Sequence, residues 1–378
     1  MTRGSLLTPD VRRAAAWLGD GDREERLARA AWTCLAEPGD RVTGELVAEF
    51  GAARALEIAS GSHTAPGLAD ARDRWRPRWD PGLVRAALEA GARKAMRLLT
   101  PDDAEWPAGF ADLGPHAPLA LWVRGDARAL ATDASVALVG ARAATPYGEL
   151  VATEMASDLA RAGVTVVSGA AYGIDGAAHR AALRSGAPTI AFVAGGADRV
   201  YPAGHAHLLA QIVDQGAVAA ECPPGTTPTR WRFLARNRLI AALSGATVVI
   251  EAGARSGTIN TAGHAASLGR PLGAVPGPVT SATSAGCHLL LREYGAQCVT
   301  GAADARELIG LGDAPSALAY ESAESTRVAD ALSRGRARTV DELARRSGMA
   351  SGEVTAVLGL LQLEGRAAER AEGWVSTA

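Results

Sequence analysis

From residue 135 onward the chain has a steady rhythm. Apolar runs of four to six residues each end in glycine, serine or an acid, and each is followed by a segment of helical spacing. The runs are Ser135–Val139, Val164–Val167, Thr189–Val193, Ala217–Ala220, Thr247–Ile250, Leu272–Val275 and Gln297–Val299. Continuous apolar strands, without the alternation of a half-solvated sheet, are those of a sheet covered on both faces. Between the first two runs, Val151, Met155 and Leu159 fall four apart, which predicts an amphipathic crossover helix. The pattern predicts a doubly wound α/β core with a mostly parallel, Rossmann-like sheet.

The flanks differ. Residues 1–95 read as a small helical domain: Ala28, Ala31, Trp32 and Leu35 recur at helical spacing, and Leu46, Val47 and Phe50 form a second apolar face. Glu37-Pro38-Gly39-Asp40 is a turn by composition. Short helices with tight turns suit a SAM-like or helix-hairpin-helix module, for which inert packing is the simpler role. After the core, 96–311, a linker is expected over 312–323. Residues 324–378 then offer Val328 and Leu332 on one helix, Thr339 capping a second with Leu343, and Ser351 capping a third with Val354, Val357, Leu358 and Leu361. A hairpin from Ala367 to Val375 completes a winged helix.

Composition narrows the chemistry. The 378 residues carry a formal net charge of -2, so a nucleic-acid ligand would need a local basic patch. Lys94 is the only lysine, so phosphate contacts fall to arginine, whose planar guanidinium can bind in bidentate fashion. The four cysteines are scattered, which predicts neither a metal site nor a disulfide framework. With no signal-like start and no long apolar run, a cytoplasmic protein away from the membrane is expected.

Candidate chemistry gathers where the strands end. The loops are Gly140-Ala141-Arg142, Ser168-Gly169 running on to Gly173, Gly195-Gly196, and Ser256-Gly257-Thr258. Glycine allows backbone N–H groups to approach an anion, and the helix that follows adds partial positive charge. The dinucleotide fingerprint and the Walker loop are both absent. Arginine is dense instead, at Arg142 and through Arg230-Trp-Arg-Phe-Leu-Ala-Arg236-Asn237-Arg238. Guanidinium groups beside backbone donors suit successive phosphodiesters, and Trp231 or Phe233 could stack bases, although core packing is slightly favoured for each. Asp175 and His179, four apart, could form an acid/base pair. The structural reading is preferred, with the aspartate closing the loop by accepting backbone N–H groups.

These residues resemble a known family. Val139-Gly-Ala-Arg142, Ser168-Gly-Ala-Ala-Tyr-Gly-Ile-Asp175 with His179, Tyr201-Pro202, Arg236-Asn-Arg238, Ser256-Gly257-Thr258 and Ala274-Val-Pro-Gly277 are similar to the DNA-processing protein A (DprA, or Smf) family over about 106–300. The resemblance implies a dimeric, non-catalytic binder of single-stranded DNA with no cofactor. It would protect the strand and load a RecA-type recombinase during natural transformation. It also implies that Arg142 with its loop, Ser168-Gly169, Arg236-Asn237-Arg238 and Ser256-Gly257-Thr258 line the DNA pocket. The segment 289–294 with Cys298 is the expected dimer element. Ala203 stands where many members carry a DNA-contacting lysine, so that contact is missing or moved, with Arg199 a candidate. His205 replaces a frequent asparagine, and Leu234-Ala235 displaces the proline before Arg-Asn-Arg.

Two other readings are weaker. A nucleoside monophosphate phosphoribohydrolase of related fold would need a catalytic acid near Gly257-Thr258, where Ile259, Asn260 and Thr261 follow. Sequence-reading by the winged helix would need basic residues on its third helix, over 350–363, which has Glu353 and no arginine or lysine.

Overall fold

The computed structural model describes residues 4–19, 21–61, 63–64, 66–312, 322–363 and 365–377. The chain divides into two compact units, Met1–Gly312 and Asp313–Ala378.

The first unit opens with six helices: α1 (Pro9–Ala14), α2 (Arg23–Leu35), α3 (Arg41–Phe50), α4 (Ala52–Ser60), α5 (Leu68–Trp75) and α6 (Pro81–Arg93). Their starts are set by short polar caps. Asp22 accepts from Glu25 N–H, Asp40 from Thr43 N–H and Asp80 from Gly82 N–H. Phe50, predicted on an inner face, is exposed.

The strands are β1 (Arg97–Leu99), β2 (Leu121–Gly125), β3 (Ser135–Val139), β4 (Thr165–Ser168), β5 (Thr189–Phe192), β6 (Ala217–Ala220), β7 (Ala246–Val249), β8 (Leu272–Ala274) and β9 (Gln297–Cys298). They form one sheet in the order β1-β2-β6-β5-β4-β3-β7-β8-β9. The seven from β3 to β9 pair in parallel. The antiparallel strands β1 and β2, absent from the expected set of runs, extend the β6 edge. Between the strands run α7 (Pro146–Arg161), α8 (Ile174–Arg184), α9 (Ala206–Gln215), α10 (Arg230–Leu243), α11 (Thr258–Ser267), α12 (Ala285–Glu293) and α13 (Ala302–Glu307).

Successive strand residues face opposite layers. In β3, Ala137 and Val139 join a core with α10, α11 and α12, while Val136 and Leu138 join one with α7, α8 and α13. In β6, Ala217 and Ala219 belong to the first of these, but Val218 and Ala220 share a core with the amino-terminal helices. The amino-terminal helices α1 to α6 therefore form a layer against the sheet within one compact unit. Trp122 of β2 donates its Nε1–H to Thr33 Oγ1 at 3.1 Å, and Arg26 forms a two-pronged salt bridge with Asp103.

The second unit contains α14 (Ala323–Ala331), α15 (Val340–Ser347) and α16 (Ser351–Leu363), then a hairpin of β10 (Ala367–Arg370) and β11 (Gly373–Ser376). Its core gathers Val328, Leu343, Val354, Leu358 and Trp374. Ser351 is the first helical residue, its Oγ bonded to Asp341, so it is not the cap its sequence position suggested. Of the expected linker 312–323, residues 313–321 lie outside the described residues; Ser322 caps α14 and Ala323 begins it.

Candidate nucleic-acid interface

Strand order reverses beside β3: the chain steps to β4, β5 and β6 on one side, then returns to β7 on the other. At such a switch point neighbouring loops part and leave a crevice at the carboxyl edge. Here the crevice is a cavity of about 950 Å³. Its walls come from the loop after β3, the first turns of α10 and α11, and side chains of β4 and β5 loops.

Close backbone packing sets the floor. Gly173 has a positive φ of 73°, and a Cβ there would lie 2.2 Å from the Ala141 carbonyl oxygen. Any larger residue would force the first and second loops apart. Thr258 Oγ1 donates to the Gly140 carbonyl at 3.0 Å, which ties the α11 turn to the β3 loop. Glu251 is buried and accepts from Thr145 N–H at 2.9 Å, Thr145 Oγ1 at 2.6 Å and Thr283 Oγ1 at 3.2 Å.

Arg142, Arg230, Arg236 and Arg255 line the cavity, with Asp175 as the single carboxylate among the described residues of its lining. Arg142, Arg230 and Arg255 are exposed, and none forms an ion pair among the described residues. The Arg142 guanidinium sits 4.5 Å from the centre of the Phe233 ring, and Phe233 packs 5.4 Å from Tyr201. Two aromatic faces therefore stand beside unpaired positive charge. Phe233 is half-buried and Trp231 is 61% exposed, so neither is the core residue that packing alone would suggest.

Arg236 lies deeper. Its Nη1 donates to the carbonyls of Gly169 (3.0 Å) and Phe192, and its Nε to Asn237 Oδ1. Burial pushes its pKa down to about 10, partly offset by nearby Asp175, so it remains charged at neutral pH. Asp175 Oδ2 accepts the N–H groups of Gly169 and Ala171, at 3.1 and 3.3 Å. Burial raises its pKa, and the Arg236 charge and these two amides counter that rise. His179 is fully buried, with Nδ1 2.8 Å from Thr189 Oγ1, and burial lowers its pKa to about 3. The pair is part of the loop scaffold.

The expected residues divide by position. Gly140, Ala141, Arg142, Arg236, Asn237, Ser256, Gly257 and Thr258 line the crevice. Ser168, Gly169 and Gly173 lie behind them: the Ser168 hydroxyl donates to the Leu138 carbonyl, and Gly169 leaves room for Arg236. Gly195 and Gly196 line a small adjoining recess with Arg199, whose guanidinium donates to the Gly225 carbonyl. Arg238 turns elsewhere. It is 5% exposed, bonded to Glu221 and to the His116 carbonyl, on the side of the amino-terminal layer. Arg230, from the marked arginine cluster, and Tyr201, from the Tyr201-Pro202 motif, also line the crevice; Arg255, beside the marked Ser256 loop, is the lining arginine that sequence reasoning did not single out. Ala203 is exposed and His205 is buried against the Ala170 carbonyl.

A doubly wound sheet with a guanidinium-walled switch-point crevice defines an α/β protein suited to a polyanion. The sequence profile described as DNA recombination-mediator protein A matches residues 97–310, and the DprA winged helix domain matches 312–373. The chain belongs to the DNA recombination-mediator protein A (DprA/Smf) family. It is 49% identical over 306 residues to a putative DNA processing protein DprA of Mycobacterium tuberculosis, covering 76% of this chain and 78% of that one. It is 37% identical over 274 residues to protein Smf of Escherichia coli, covering 68% and 71%. Among solved structures it is similar to DNA processing protein A from Streptococcus pneumoniae, with a TM-score of 0.61 and 28% identity over 75% of this chain and 97% of that one. A second is DNA processing protein A from Helicobacter pylori, described for its single-stranded DNA binding mode, with a TM-score of 0.51 and 29% identity over 57% and 96%.

Proposed function

We propose that this chain binds single-stranded DNA in the switch-point crevice, shields it, and delivers it to a RecA-type recombinase during DNA uptake. The observation that carries this reading is the charge balance of the cavity: four guanidinium groups face one carboxylate, and that carboxylate is bonded to backbone amides. Phosphates supply the missing negative charge, and Phe233 and Tyr201 offer faces to bases of any sequence. Commitment of Asp175 to loop amides favours holding a strand over turning one over, because no free acid stands at the crevice among the described lining residues. Duplex DNA, with its bases enclosed, gains less from the aromatic faces. Homodimer formation through 289–294 and Cys298 fits an exposed Tyr294 and a two-residue edge strand, β9, with both residues exposed.

The test is a salt titration with labelled oligo-dT. Arg142→Ala should weaken binding about tenfold, the scale of one charge-assisted contact. It should also lower the log–log salt slope by about 0.7. Unchanged affinity and slope would overturn the crevice assignment. A strand-exchange assay with a RecA-type recombinase on coated single strands tests delivery, and no stimulation would overturn that part.

A further inference from the structure

Outside the crevice, a second cavity of about 450 Å³ lies between α10 and the amino-terminal layer. Trp231 stands over it at 61% exposure, the only exposed tryptophan of the eight among the described residues. Partly exposed Pro38 lines it over buried Leu35 and Trp75, with Arg74 and Arg78 at its rim and Glu37 and Asp40 beside them. A wide aromatic face open to water beside a recess is available for stacking by a planar ring.

The recess is rigidly framed. Glu37 Oε1 accepts from Arg232 Nη2 at 2.8 Å and also from Arg78, so the turn 37–40 is fastened to the first turns of α10. The Gly39 N–H donates to Glu221, which also holds Arg238. A preformed slot with one aromatic wall suits a planar ring, and the carboxylates and guanidinium groups at its edge suit the donors and acceptors of a nucleobase. The local charge is balanced: Arg74 pairs with Asp40, and Arg78 and Arg232 share Glu37. A phosphate therefore gains little there, and a neutral base gains more.

The two cavities are lined by consecutive residues at the start of α10. Arg230 lines the cationic crevice and the next residue, Trp231, lines the slot. Adjacent positions at the N-terminus of α10 thus offer a strand in the crevice a neighbouring aromatic face.

We propose that the slot beneath Trp231 is a second nucleobase subsite, which receives a base from the strand whose phosphates lie in the crevice. This rests on the single-strand reading given above and extends the DNA path onto the amino-terminal helical layer. Bases stack on Trp231, with partly exposed Pro38 as the apolar contact opposite.

The experiment compares the full chain with Trp231→Ala and Trp231→Phe against labelled oligo-dT of increasing length. It adds one long oligonucleotide whose terminal residues at either end are abasic. For the unaltered chain, affinity should rise again once the strand is long enough to pass the crevice. Trp231→Ala should remove that second rise, a loss of about tenfold for long strands and little for the shortest, and Trp231→Phe should keep most of it. Abasic termini should reproduce the alanine result in the unaltered chain. Equal binding by the unaltered chain and Trp231→Ala at every length overturns the subsite and leaves the crevice standing. A loss that abasic termini do not reproduce also overturns it, because the contact is then with backbone. Absence of binding by the unaltered chain at any length overturns both readings.

Discussion

At the scale of single residues, the polar groups around the crevice separate into those free to meet a ligand and those already engaged. Arg142 and Ser256 were legible because each stands in a small-residue loop between a strand's carboxyl end and the next helix, where a parallel sheet presents its loops. Arg238 was not, because its role depends on Glu221 and on Gly39, which lies almost two hundred residues earlier in the chain. His179 carries a prediction of its own. Its folded pKa, about 3, lies below the ordinary 6.5, so as pH falls the unfolded chain takes up the proton first. Stability present above pH 6.5 is thus lost progressively toward pH 3, at about 1.4 kcal/mol per pH unit inside that window. Asp175, whose pKa burial raises, acts in the opposite sense, so the useful comparison is with His179→Asn. Urea unfolding at pH 7.5, 6 and 5 should show a steeper loss in the unaltered chain than in the variant. Parallel curves would show that this imidazole is protonated as readily folded as unfolded.

Among the elements, α10 is the one whose role the sequence conceals. Its apolar residues follow no clean stripe, because both its sides are occupied. Arg236 reaches into the crevice, while Arg232 and Arg238 bond to groups on or against the amino-terminal layer. The parallel strands were readable as apolar runs ended by small residues. By contrast, β1 has three residues, and β2 lies in a stretch with no crossover helix to mark it, so the antiparallel edge carried no period of its own. Removing one member of a buried ion pair leaves the other charge unpaired, so Arg238→Ala should destabilise the chain by about 3 kcal/mol. In denaturant titration Arg142→Ala should leave the midpoint unchanged. Folded Arg238→Ala should keep its oligonucleotide affinity at low temperature, the reverse of the pattern for Arg142→Ala. If both variants lose affinity alike without a change in stability, Arg238 contacts DNA after all.

For the molecule as a whole, the two compact units have separate cores, and every crevice residue lies in the first. The segment expected to form the dimer lies there too. A chain ended at Gly312 should therefore keep both its oligonucleotide affinity and a dimeric mass in light scattering. Loss of either would assign that property to the winged helix. The winged helix itself was legible from caps and spacing, whereas the union of the helical layer with the sheet was not, because it depends on Trp122, Ala220 and their neighbours facing across a fold.

The turn that fastens α10 to the helical layer has a mechanical consequence. One stiff rod carries Arg236 at the bottom of the crevice, and Arg232 and Arg238 anchor it from behind. Loosening that anchorage, for example at Glu37, would tilt the rod and shift the guanidinium groups out of register with the loops opposite. Lesions among the first hundred residues would then be felt as poor grip on DNA, at a distance from any atom that touches it.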